Sequence, residues 1–145
     1  MNIKSIVEEL KANPKNIFLI DGMGALITFL SLFGIGFWLH HYFGIPQSVL
    51  YSLAMVAIFY CVYAFSCYFF LFPKLVDKTG NAVKKWQSFL KVIIAANSLY
   101  CVILFFLLIY FYASLTVLGF TYFAFEISVI TVLVILEMKM VFEEV

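Results

Sequence analysis

The chain contains no arginine; all nine of its basic residues are lysines. A guanidinium holds carboxylate or phosphate through two parallel hydrogen bonds, and its absence weakens any site built as a bidentate clamp. Charge of either sign is scarce. Only 12% of the residues are charged, against the quarter or so that a soluble domain needs to cover its surface. With 66% hydrophobic residues, the chain belongs in lipid. The formal net charge of +1 offers nothing to nucleic acid. Histidine occurs twice, as the adjacent pair His40 and His41. Neighbours on a helix point about 100° apart, so these two make neither a bis-histidine haem site nor a metal site by themselves. Cys61, Cys67 and Cys101 all fall in apolar stretches, with no C-x-x-C pair. An odd number of thiols at lipid depth argues against a disulfide framework and reads as small packing residues.

Long apolar runs make up most of the rest. At 1.5 Å per residue, roughly 20 residues match a hydrocarbon core of about 30 Å, and four stretches qualify: 17–38, 49–72, 92–112 and 115–136. The expected fold is all-α: a four-transmembrane-helix antiparallel up-down bundle in one domain, 1–145, with short turns between helices. Residues 1–12 precede it as a short amphipathic helix at the membrane interface, with Ile3, Ile6, Val7 and Leu10 on one face and Lys4, Glu8, Glu9 and Lys11 on the other. Asn13-Pro14 reads as an N-cap followed by the first helical position, and Gly44-Ile45-Pro46 as a tight turn whose proline opens the second span. The first span is too long for a secretory signal, and SLFGIGFWLHH contains no small-x-small cleavage site.

Every lysine lies in the N-terminal segment, in the 73–86 linker with the start of the third span, or in the C-terminal tail. Because lysines concentrate on the cytoplasmic side, the expected location is a cytoplasmic (inner) membrane, crossed several times, with both termini and the 73–86 linker in the cytoplasm.

Polar residues inside the spans are the candidates for function, since each is costly there and is kept facing the bundle interior. Glu126 stands near the middle of the fourth span, at about 3 kcal/mol on insertion scales. Gly119, Tyr122, Glu126, Ile130, Leu133 and Glu137 share its face. In the first span, Asp21, Gly24, Ala25, Thr28, Leu32 and Ile35 fall on one face. In the second, Leu50, Leu53, Ala54, Ala57, Cys61, Ala64 and Tyr68 form a stripe of mostly small residues, as helices use to pack closely in lipid. Asn97 lies about ten residues into the third span, at the depth of Glu126 counted from the cytoplasmic side, so its amide is an expected partner for that carboxyl. The candidate intramembrane polar site is therefore Glu126, Asn97, Asp21, Tyr122 and Thr28. Lys91 is expected to reach for the headgroups rather than to pair with Asp21. Thr121, Ser128 and Thr131, on the far face of the fourth span, are read either as hydroxyls bonded to their own helix or as a second covered face, implying a homo-oligomer or a partner membrane subunit.

No Ser-His-Asp set, metal-ligand cluster, phosphate loop or internal repeat is present, so neither a catalytic site nor a cofactor is expected. The segments NPKNIFLIDGMGALIT, WQSFLKVIIAANSLYC and SLTVLGFTYFAFEI resemble parts of small bacterial four-helix membrane proteins. That resemblance implies the architecture and carries no activity. Small multidrug transporters also have four helices and a membrane glutamate, but theirs is in the first helix. Glutathione-type membrane transferases depend on arginines. The leading expectation is small-solute, proton or ion handling around Glu126, and the alternative is a non-catalytic accessory or scaffold subunit.

Overall fold

A computed structural model of the chain describes residues 3–71 and 82–142. Most of the 73–86 linker and the tail residues Glu143 and Glu144 lie outside the described residues. The described residues are helical, without strands, and form five helices: α1 (Ile3–Ala12), α2 (Lys15–Phe43), α3 (Gln47–Leu71), α4 (Ala82–Tyr110) and α5 (Val117–Phe142). Among them α2, α3, α4 (from Trp86) and α5 are long and apolar enough to cross a membrane.

Local chemistry accounts for the breaks. Asn13 makes no side-chain cap. Its carbonyl instead accepts from Asn16 N at 3.0 Å, and Pro14 already has helical angles, so α1 runs almost directly into α2. Near its far end α2 passes through a π-helical turn at Ile35–Leu39 and stops at Gly44, whose φ of 72° is left-handed. Pro46 follows with extended ψ, and its carbonyl accepts from Val49 and Leu50 as α3 begins. The third span starts earlier than expected, at Trp86 rather than 92, and the fourth ends later. The fourth runs to Phe142 rather than stopping at 136, because Glu137, Met140 and Val141 are buried.

The helices pack in two hairpins, α2 against α3 and α4 against α5. The stripe predicted on α3 is the buried one: Leu50, Leu53, Ala54, Ala57, Cys61 and Ala64 are all inside. α2 meets it through Gly22, where an added Cβ would stand 3.2 Å from the Phe65 ring, and through Gly36, where it would stand 2.8 Å from Tyr51. These are the close approaches that small residues permit.

Two apolar clusters hold the molecule. One gathers Ile17, Phe18, Cys67, Leu90, Ile93, Met140 and Val141 at the terminal end, and Val7 and Leu10 of α1 belong to it. The other gathers Leu32, Phe43, Leu50, Tyr100, Leu104 and Phe123 at the turn end. There the two hairpins are also tied by backbone: Thr116 donates through its N–H to the Phe43 carbonyl at 3.3 Å and through its hydroxyl to the Tyr42 carbonyl. An added Cβ on Gly44 would run into the Ser114 carbonyl. Outside, Phe59, Phe69, Phe105, Phe106 and Phe125 are all more than half exposed, a surface far too apolar for water. Among the described residues four buried polar side chains, Asp21, Asn97, Glu126 and Glu137, interrupt this apolar interior.

Candidate functional site

Between the two clusters α2 and α5 do not close on each other. The gap is a cavity of about 210 Å³. All five candidate residues line it. α2 supplies Asp21 and Thr28, seven residues and so about two turns apart on one face, with Ser31 beyond. α4 contributes Asn97, and α5 contributes Tyr122 and Glu126, one turn apart. Tyr60 of α3 and Tyr100 of α4 complete the polar side. Ile27, Phe125 and Val129 also line it and are exposed at 60%, 68% and 44%. The cavity therefore opens sideways between α2 and α5, through an apolar mouth. Among the described residues no lysine or histidine is in the lining.

The expected Asn97–Glu126 pair does not form. Asn97 Nδ2 donates to Asp21 Oδ1 at 2.8 Å, linking α4 to α2, while the Tyr100 hydroxyl donates to Glu126 Oε1 at 3.3 Å, linking α4 to α5. The reason is depth. Counted from the turn that joins the two helices, Glu126 stands 9 residues, roughly 14 Å, from Val117. Asn97 stands 13 residues, roughly 20 Å, from Tyr110. The residue one turn further on, Tyr100, is the one at the level of Glu126. The Tyr100 ring also meets Tyr60 edge-on, centroids 6.2 Å apart, and Tyr60 in turn donates to the Ala96 carbonyl at 3.2 Å. The Tyr122 ring packs edge-on to Phe43 at 5.7 Å.

These bonds leave conspicuous gaps. Glu126 is 6% exposed, yet its Oε2 has no hydrogen-bond partner. Glu137 is fully buried, and neither of its carboxyl oxygens has one. It interacts electrostatically with Asp21 and is a neighbour of Asn97. The polar interior thus has two levels: Asp21, Asn97 and Glu137 toward the terminal end, and Glu126, Tyr100, Thr28 and Tyr122 toward the turn end. Nearly all buried polar groups in folded proteins are satisfied, so unpaired oxygens on two intramembrane carboxyls call for a physical explanation.

Sequence reasoning had Glu137 on the correct face but outside the span, and passed over Tyr60 and Tyr100. The signal for Glu137 was its spacing of 11 residues from Glu126, three helical turns. Lys91 turns outward, its Nζ 5.6 Å from the centre of the Phe142 ring. Thr121, Ser128 and Thr131 each donate to the carbonyl four residues back, at 2.8, 2.8 and 2.7 Å. That face of α5 therefore needs no partner chain to satisfy its hydroxyls. His40 and His41 stack with ring centroids 3.9 Å apart, beside the π-helical turn that precedes them. Among the described residues no three His, Cys, Asp or Glu side chains converge as a metal set. No family model, curated protein or solved structure matches this chain, and the functional reading rests on the cavity's own chemistry.

Proposed function

We propose that the chain is an antiparallel up-down bundle in the cytoplasmic membrane, with both termini inside, that handles a small solute, proton or ion at Glu126. The lysine distribution supports the orientation. The observation that carries the function is the unpartnered Oε2 of Glu126, a buried carboxyl oxygen on the wall of a cavity near mid-span. An ionisable group kept at that depth and left incompletely paired is arranged for something that comes and goes. A scaffold or accessory subunit is the second reading, and the 2.8 Å Asn97–Asp21 bond favours it, since that bond joins the two hairpins whatever the cavity does.

Glu126→Gln and Glu126→Leu separate the two. Gln still accepts the Tyr100 hydrogen bond but carries no exchangeable charge. Leu leaves the Tyr100 hydroxyl without its acceptor, at about 1–3 kcal/mol. On the proposed function, Gln melts near wild type in detergent yet fails to restore growth or proton flux to a deletion strain. On the scaffold reading, Gln restores both and only Leu is impaired. A stable and fully active Gln variant, in an assay that the deletion strain fails, ends the transport reading.

A further inference from the structure

We propose that the cavity between α2 and α5 is a binding site for a compact amphiphilic monocation, an organic ammonium with an apolar substituent, which enters sideways from the lipid. The inference rests on the reading of Glu126 given above and specifies the ligand class.

Four observations carry it. Glu126 is 6% exposed and its Oε2 makes no hydrogen bond on the cavity wall, although the Thr28 hydroxyl acts on the same carboxyl, so the site holds an acceptor with room for a further donor. The second carboxyl in the lining, Asp21, already accepts from Asn97, and among the described residues no lysine or histidine lines the cavity. An anion would meet only like charge there, and a cation would supply the missing partner. Tyr60, Tyr100, Tyr122 and Phe125 surround the same space, and aromatic faces attract ammonium groups through their quadrupoles, most strongly when water is excluded. Finally, the volume of about 210 Å³ is several times the roughly 30 Å³ of a water molecule. That is more room than a bare metal ion uses, and no metal-ligand set converges among the described residues. The apolar mouth at Ile27, Phe125 and Val129 suits the apolar part of such a ligand and opens where lipid would lie.

The test uses the purified full chain in nanodiscs and two probes of nearly equal shape, benzyltrimethylammonium and its uncharged carbon analogue neopentylbenzene. Calorimetric titration of the wild type should show saturable binding of the cation. Glu126→Gln should weaken that binding at least tenfold while leaving the uncharged probe unchanged. Gly24→Phe provides an independent check, because Gly24 lines the cavity and a Cβ there meets only Leu133, at 3.9 Å. It should weaken both probes by filling the space, and it decides the matter if the Gln variant fails to fold. Nanodiscs of phosphatidylglycerol with an uncharged glycolipid, and of phosphatidylglycerol with the same fraction of phosphatidylethanolamine, hold the surface charge equal and distinguish the sources of the ammonium. Weaker probe binding in the second assigns it to a lipid headgroup, and equal binding assigns it to a free amphiphile; both support the site. Absence of saturable binding, equal cation affinity in Glu126→Gln, or full binding in a folded Gly24→Phe overturns it. If the cation fails to bind but Glu126→Gln still abolishes flux, the ligand class is wrong and the function of Glu126 stands.

Discussion

Gly22 and Gly24 stand two residues apart on the same helix and face opposite circumstances. A Cβ on Gly22 would press on Phe65 and Ala64 at 3.2–3.4 Å, whereas one on Gly24 would meet a single methyl of Leu133 at 3.9 Å. The first glycine brings α2 hard against α3. The second borders the cavity before α5. Small residues in a membrane helix therefore serve two ends: on one side they remove space between backbones, and on the other they preserve it. Composition alone does not distinguish the two uses.

The sharpest break of that comparison is a pair of leucines. Gly22→Leu should cost about 3 kcal/mol, the upper end of what overpacking typically costs, and Gly24→Leu should cost less than about 1 kcal/mol, because its side chain grows into the cavity. Melting in detergent reads both. Equal losses would mean that α2 and α5 close on each other in the membrane and that no cavity exists.

A smaller effect is expected from the two polar levels. Asn97→Leu removes the donor to Asp21, and its coupling to Asp21→Leu in a double-mutant cycle should be about 1–2 kcal/mol. The cycle between Asn97→Leu and Glu126→Leu should give a coupling under about 0.5 kcal/mol, since no hydrogen bond joins that pair. Comparable couplings would restore the pairing expected from sequence. Smallest of all, Thr121→Val and Ser128→Ala should each change stability by no more than about 0.5 kcal/mol, because their exposed hydroxyls bond the carbonyl four residues back. A large loss at either position would indicate a partner chain on that face.

How much of this was legible in the sequence depends on the kind of information needed. The buried stripe on α3 was legible residue by residue from Leu50 to Ala64, because helical spacing fixes which side chains share a face. Tyr68, at the stripe's end, is only half-buried, in the π-helical turn where that spacing changes. The candidate residues were legible as intramembrane polar groups, and they do meet. Their pairing was not legible, because it depends on relative depth. Depth is set by how far α4 and α5 both run at the terminal end, α4 from Ala82 and α5 through Glu137 to Phe142, where α1 and the start of α4 also bury Met140 and Val141. That is a tertiary effect, and nothing local announces it. Periodicity likewise put Gly24 on an inner face without saying whether a neighbouring helix or an empty space lay opposite.

The knot at the turn end has a mechanical consequence. Thr116 bonds to the backbone of residues 42 and 43, and Gly44 and Gly119 bring the two turns into contact, so one hairpin cannot slide past the other at that end. Any rocking of one hairpin against the other would have its fulcrum there. Glu126, ten residues from Thr116, lies roughly 15 Å down the lever arm, so a tilt of about 10° would displace it by about 2.6 Å at that helical rise. A shift of that size would widen or narrow the gap between Glu126 and α2, which belongs to the other hairpin.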